Sequence, residues 1–512
     1  MGSWRSFLKN KYRVVIAGGG VVGCAIAREL SQYENLSITL LEKEDDVCSG
    51  TSKANNSHIV CGADLDPSCP VEIEMIRRSN KRWESITAEL DVEYTRCGSF
   101  NVAVTESEFN DTLPALQKKA QSCGIFSTRI IGRDELLSKE PYVNPDALGA
   151  LYAPEDGSLL SYYLVLALAE NAAVNGVKFL FESEVTALSF SQEGKFPWTV
   201  EINNGEKTLD ADFVINSAGL YSDAVSKMAG WDNFEIRPRK GEFWVIDKKY
   251  SSLVNSIVYG CPQPDFRGTT VVKTRDGNLM VGPTARDLRD KEEKGTTQDA
   301  MEAGWAAAKR VFPWLDKSMT IHQYAGLRAR CAEINDYIIG WHPDGVKPFI
   351  NAAAIRSTGI SGSIGIGEYI AELLTERITL EKNPLFNPVR KKIKRFETAS
   401  WSEREALVKE NPLYGEIICR CQTVSKAEII EAIHNPLGVV SLDGIKRRTK
   451  TQMGRCSGGF CTPRIVKIIC EETGSSPLEI TKRGRGTEIL KRETKNPSSH
   501  CRMTAGRSGA GK

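Results

Sequence analysis

Val14-Val15-Ile16-Ala17-Gly18-Gly19-Gly20-Val21-Val22-Gly23 decides the fold. An apolar, β-branched run from Tyr12 to Ala17 stops at three glycines, helical periodicity resumes over Val21 to Leu30, and a second apolar run follows at Ser37 to Leu41. That order is a βαβ unit, with G-x-G-x-x-G in its first turn. Gly18 permits the tight turn, Gly20 lets backbone approach a pyrophosphate, and Gly23 lets the helix lie close to the strand. The helix N-terminus then faces phosphate charge. Glu42, about 20 residues beyond Gly23, is placed to hold ribose hydroxyls. The fingerprint specifies a dinucleotide site without choosing between NAD and FAD.

Three later segments make that choice. Ser49-Gly50-Thr51-Ser52-Lys53-Ala54-Asn55 offers hydroxyl and amide groups, Thr51 and Ser52 foremost, that suit the second phosphate and ribityl chain of a flavin. Asp212 to Gly219 reads as a strand ending in Ala218-Gly219, which lets backbone pass close to a cofactor. The turn Thr358-Gly359-Ile360-Ser361-Gly362 precedes a helical pattern from Glu368 to Thr375, whose positive end could face the N1/O2 side of a reduced isoalloxazine. FAD is the expected cofactor.

At 512 residues the chain is long enough for two or three domains. With 67 Lys+Arg against 65 Asp+Glu, its net charge of +2 implies neither nucleic acid nor an anionic membrane as partner. No apolar run reaches the roughly 18 residues of a membrane span; the richest, Leu164 to Val174, is broken by Glu170 and Asn171. A soluble, cytoplasmic protein is expected, with peripheral membrane contact left open. Arg5, Lys9, Lys11 and Arg13 among Trp4, Phe7 and Leu8 would suit a very short presequence for a mitochondrion-related organelle, but a ragged N-terminus is the preferred reading.

Most of the 14 cysteines are scattered and read as small buried hydrophobes. Cys419-x-Cys421 and Cys456-x4-Cys461 are different, because two close pairs of thiolates suit a [2Fe–2S] cluster with one pair on each iron. Glycines at 454, 458 and 459 let backbone donate to sulfur. Tetrahedral zinc is the competing reading. Zinc ribbons more often use two C-x2-C knuckles, and a flavin domain needs an electron outlet, so the iron–sulfur reading is preferred.

The expected architecture is an α/β FAD-binding Rossmann-like domain with an inserted, mainly antiparallel α+β substrate domain, followed by a small helical [2Fe–2S] domain. The expected boundaries are 1–390 for the flavin region, 391–413 for a basic, irregular linker, 414–487 for the cluster domain and 488–512 for a flexible tail. The bias of Ser498 to Lys512 towards Gly, Ser, Arg and Lys suggests the last.

The flavin segments resemble the D-amino-acid-oxidase superfamily of FAD enzymes along nearly the whole chain. Glu42-Lys43-Glu44, Gly50 to Asn55, Asp276 to Leu279, Val281 to Ala285 and Ala325-Gly326-Leu327-Arg328 are similar to the anaerobic glycerol-3-phosphate dehydrogenase branch. Members of that branch often carry a C-terminal domain of the bacterioferritin-associated-ferredoxin type. Cys419-Arg420-Cys421, Asp443 to Arg448 and Gly454 to Cys461 resemble it.

The resemblance implies a substrate-facing arginine at Arg328, whose planar fork suits a carboxylate or phosphate. Arg356 and Arg330 are weaker candidates, Lys240 is better read as structural, and Arg267 stands where relatives commonly carry lysine. The chain also departs from the family. Relatives read Asn-Ser-Gly-Ile-Val-His-Ala-Gly where this chain has Asn56 to Ala63, so Cys61 takes the histidine's position and His58 a glycine's. The usual Ser-Pro-Gly-Leu is Ser357-Thr358-Gly359-Ile360. Among only 5 histidines, His58 is the one near the expected chemistry.

The expected function is oxidation of a small anionic 2-hydroxy substrate, sn-glycerol 3-phosphate first, with electrons leaving through the cluster to an acceptor protein or quinone. A 2-hydroxyglutarate-like acid or an amino acid is the alternative within this fold. A non-catalytic flavin and iron–sulfur electron-transfer subunit is the alternative of another class.

Overall fold

Val14, Val15 and Ile16 are buried on both faces of their strand, as a central parallel strand requires. In the computed structural model, which describes residues 11–262 and 269–493, β1 (Tyr12–Ala17) runs inside a six-stranded sheet. Its partners are β2 (Leu36–Leu41), β3 (Lys178–Leu180), β4 (Phe213–Asn216), β5 (Ile338–Trp341) and β6 (Phe349–Ala353), in the order β5-β6-β4-β1-β2-β3. All neighbours are parallel except β5, which runs antiparallel to β6. Arg267, the N-terminal residues Trp4 to Lys9 and the tail Ser498 to Lys512 lie outside the described residues.

Four helices belong to this first unit's nucleotide layer: α1 (Val21–Leu30), α2 (Pro70–Asn80), α3 (Ser161–Val174) and α4 (Gly359–Thr375). The run Thr358 to Gly362, expected as a turn, belongs from Gly359 onward to the first half of α4, which starts well before the expected Glu368. Its glycines serve close helix packing: a Cβ on Gly365 would lie 2.3 Å from the Met75 carbonyl of α2. Tertiary packing has overridden glycine's poor helix propensity.

The inserted sheet is nine-stranded and antiparallel except where Ser99–Ala103 pairs with Ile257–Gly260. Its longest strands, Ile236–Ile246 and Thr320–Cys331, pair in a register that sets Arg239 opposite Arg328 and Gly241 opposite Gly326. Phe100, Val102, Val258, Val271 and Val281 form the core beneath Trp305, Ala308 and Val311 of the helix Gln298–Val311. The α/β layer with an antiparallel insertion is the architecture the sequence predicts.

Chain contacts divide the protein at Lys392, with residues 44–46 joining Ile393 onward in a second unit. The stretch expected as a linker, 391–413, contains α5 (Trp401–Glu410), opened by a Ser400–Glu403 capping box. Phe396, Leu407, Val408 and Leu413 pack with Tyr414 and Ala427, and Arg395 pairs with the buried Glu428 at 3.5 Å. From Ile393 onward this segment is therefore packed structure. Helices α6 (Lys426–Ile433), α7 (Leu442–Thr449) and α8 (Thr462–Thr473) enclose Ile429, Ile433, Ile445, Ile465 and Ile469. Within the same unit, Arg448 Nη1 and Arg447 Nη2 donate to buried Asp46 at 2.8 and 3.0 Å. Among the described residues no helix is long and apolar enough to cross a membrane.

Candidate functional site

The glycine fingerprint has the geometry its chemistry requires. Gly18 has φ +106°, where a Cβ would lie 2.6 Å from the Ser217 carbonyl, and a Cβ on Gly23 would lie 2.0 Å from the Gly18 carbonyl. Gly20 is different: a Cβ there would meet only Ser52 Oγ, at 3.3 Å. Gly20 itself provides no side-chain cap for α1, and the Val21 amide donates to Ser52 Oγ at 3.0 Å. Glu42 stands beside the turn, where its Oε2 accepts from the Gly19 amide at 2.7 Å. A helix start without its own capping side chain, next to space at Gly20, fits a bound pyrophosphate.

The remaining flavin-segment residues converge from distant parts of the chain. Thr51 Oγ1 donates to the Leu327 carbonyl at 2.7 Å, and Tyr324 Oη donates to the Asn55 carbonyl at 2.6 Å. Ala218 and Gly219 follow β4, and Ser217 Oγ ties that crossing to the Ala17 carbonyl at 2.9 Å. Gly359 and Ile360 open α4, whose Thr358 N-cap makes no side-chain capping bond. The Val60 amide donates to Ser361 Oγ at 2.9 Å, which brings the segment containing His58 and Cys61 to that helix start.

Arg328 follows Leu327 directly, so the strand that receives Thr51 also carries this arginine beside the flavin segment. Its half-buried guanidinium packs against Gly241, where a Cβ would lie 2.3 Å from Nη2, and Nη2 donates to the Thr284 carbonyl at 3.1 Å. Arg330 and Arg356 have carboxylate partners. Arg330 shares Asp287 with Arg239, and Arg356 is ion-paired with buried Glu72 while donating to Asn335 Oδ1 at 2.8 Å. Lys240 is fully buried and donates to Glu293 and the Gly295 carbonyl.

His58 sits in a buried polar chain. Its Nε2 donates to Asp156 Oδ2 at 2.9 Å, which leaves Nδ1 to accept from Tyr259 Oη at 2.5 Å. Asp156 also accepts from the Cys61 amide and from Ser99 Oγ, each at 2.7 Å. Burial pushes the Asp156 carboxyl up, but electrostatic attraction to the His58 ring and these hydrogen bonds outweigh it and leave the carboxyl below its ordinary range. Burial, with Asp156 adding to it, pushes the Cys61 thiol well up, so Cys61 is a neutral thiol at neutral pH. Asp156 and Tyr259 carry no motif; only the pairing of His58 with Ser158 across neighbouring strands brings Asp156 into reach.

In the second unit, Cys421 Sγ and Cys456 Sγ lie 3.6 Å apart at the surface, while Cys419 and Cys461 are buried. A Cβ on Gly454 would lie 2.2 Å from Cys421 Cβ, so glycine permits this approach of the two ligand segments. Burial pushes the Cys461 thiol up to about 11, with Cys419 adding to it, so a metal is needed to hold it as thiolate near neutral pH. Cys461 also occupies the N-cap position of α8, where the helix dipole favours negative charge on sulfur. The donor set fits an iron–sulfur cluster.

Comparison with known proteins agrees with both sites. The FAD dependent oxidoreductase family matches residues 13–373, and the BFD-like [2Fe-2S] binding domain matches residues 417–471. The glycerol 3-phosphate dehydrogenase of Caloramator mitchellensis is 37% identical over 486 residues, 95% of this chain and 99% of the relative. The glycerol 3-phosphate oxidase of Mycoplasma pneumoniae is 30% identical over 378 residues, 72% of this chain and 96% of its own. Among solved structures, the dithionite-reduced L-alpha-glycerophosphate oxidase of Mycoplasma pneumoniae with FAD bound is similar at a TM-score of 0.68 and 29% identity, covering 75% of this chain and 99% of that one. The chain therefore belongs to the FAD dependent oxidoreductase family, as a member that also carries a BFD-like [2Fe-2S] binding domain.

Proposed function

We propose that this chain is a dehydrogenase that oxidises sn-glycerol 3-phosphate to dihydroxyacetone phosphate and releases electrons through its second unit to an acceptor protein or quinone. The observation that carries this reading is the span of the similarity to the glycerol 3-phosphate dehydrogenase of Caloramator mitchellensis, which includes both cofactor sites. When bound, FAD supplies a hydride acceptor and the cluster supplies one-electron chemistry.

Gly18, Gly20, Gly23, Glu42, Thr51, Ser52, Ala218, Gly219, Gly359 and Ile360 would hold FAD, and Cys419, Cys421, Cys456 and Cys461 would hold the cluster. Arg328 would bind the substrate phosphate through its guanidinium fork. Its position one residue after the Thr51-bound Leu327 supports that role. Removal of hydride from the substrate carbon requires the adjacent hydroxyl to lose its proton. His58 would take up that proton through Tyr259, because Tyr259 Oη meets its Nδ1 and Asp156 would stabilise the resulting positive ring. The neutral Cys61 thiol is a poor base for the same step. Among the described residues no two cysteines form a disulfide, which fits action in the reducing cytoplasm.

An anaerobic substrate panel tests the reading by bleaching of the flavin band. sn-Glycerol 3-phosphate is expected to bleach it at near-stoichiometric addition. Bleaching by L-2-hydroxyglutarate or an amino acid alone would replace the substrate. No bleaching by any member, with both cofactors present, would favour a non-catalytic electron-transfer subunit.

A further inference from the structure

Cys421 and Cys456 form the exposed edge of the cluster site, and the residues immediately before them in the chain are basic. Arg420 and Arg455 immediately precede these two cysteines, and both are exposed. The guanidinium carbons of Arg420 and Arg464 lie 4.5 and 3.8 Å from the centroid of the same ring, that of Phe460, so a third cation is gathered beside the ligand segment. Between Asp443 and Glu471 the sequence has no acidic residue. Among the described residues, no carboxylate pairs with Arg420, Arg455 or Arg464.

Folding gives little reason for this arrangement. Like charges that share one ring and lack counter-charges repel one another, and cation–π attraction offsets only part of the cost. An incoming negative surface would offset the rest and would be steered towards the edge from which an electron can leave. Exposed Met453 and half-buried Phe460 add a small apolar contact within the basic rim. A compact protein contact fits this small patch better than a lipid surface does.

We propose that the rim formed by Arg420, Arg455 and Arg464 docks an acidic one-electron carrier protein. This rests on the reading that electrons leave through the second unit, and it names the chemistry of the acceptor. The transfer is one electron from the reduced cluster to the oxidised metal centre of the carrier, with no bond made or broken between the proteins.

The test uses the full chain with both cofactors, acidic plastocyanin and basic cytochrome c as oxidised probes, and vesicles of phosphatidylglycerol with phosphatidylcholine. Calorimetry reads binding, and stopped-flow absorbance reads oxidation of the dithionite-reduced cluster. Plastocyanin is expected to bind at low salt and to release as salt screens the charges, whereas cytochrome c binds far more weakly. Arg455→Glu and Arg464→Glu, each checked for an unchanged cluster spectrum, should weaken plastocyanin binding by about tenfold or more, while Arg464→Lys retains most of it. Binding that ignores both charge reversals, preference for cytochrome c, or binding to the vesicles alone would overturn the proposal. Charge-dependent binding without cluster oxidation would uphold the docking face while removing the electron-exit reading.

Discussion

His58 Nε2 donates to Asp156 Oδ2 across 2.9 Å, with the two side chains only 4% and 6% exposed. Asp156 simultaneously holds the Cys61 amide and Ser99, so this carboxylate fixes the segment leading to the start of α4. Asp156→Ala is expected to cost about 3–5 kcal/mol, because it strands buried donors and a buried ring. The urea midpoint of unfolding, read by flavin release, checks it. The pH dependence has a definite sign. The folded carboxyl lies below its ordinary value of 3.8, so its contribution is present above that value and is lost as pH falls below it. Wild-type stability should fall more steeply in that acid window than the stability of Asp156→Asn.

Two glycine substitutions should fail in different ways. In Gly20→Val the new side chain enters space next to Ser52 without striking backbone, so the protein should fold yet purify colourless. Gly23→Ala drives a methyl into the Gly18 carbonyl and should lower the thermal midpoint even without cofactor. Flavin absorbance and thermal melts, measured on both variants, separate the outcomes. Equal flavin content in Gly20→Val and wild type would contradict the assignment of the turn.

Arg328 and Arg356 should differ just as sharply. Arg328→Lys keeps a charge but loses the fork, and it should retain FAD while losing about 1.5–3 kcal/mol of substrate capture, read as kcat/KM. Arg356→Gln strips the partner from buried Glu72 and should lower stability by about 3 kcal/mol or more. Its kinetics at low temperature should stay close to wild type. A purely kinetic defect in Arg356→Gln would make that arginine the anchor.

The parts legible in the sequence were those encoded by local periodicity and fixed spacing. The strand and helix flanking Gly18 to Gly23 are periodic, and the cysteine pairs announce themselves by number alone. The first half of α4 was not legible, because Gly365 is explained by Met75 and Arg78 of another helix. The packing of the helix Trp401–Glu410 was not legible either: Leu407 is its only buried residue, so composition suggested a spacer. His58 stood out as a rare histidine, yet its partners reach it from elsewhere, Asp156 from the turn before Gly157–Leu159 and Tyr259 from a strand, through pairings that no single segment records.

The most direct test of the account is freeze-quench electron paramagnetic resonance on the full chain, mixed anaerobically with sn-glycerol 3-phosphate and no external acceptor. The account predicts that the flavin band bleaches and that the signal of a reduced [2Fe–2S] cluster then grows in, while Cys456→Ser bleaches its flavin without producing that signal. A bleached flavin beside a cluster that stays oxidised, although dithionite can reduce it, would contradict the electron route. Zinc in place of iron in protein prepared without oxygen would contradict it as well.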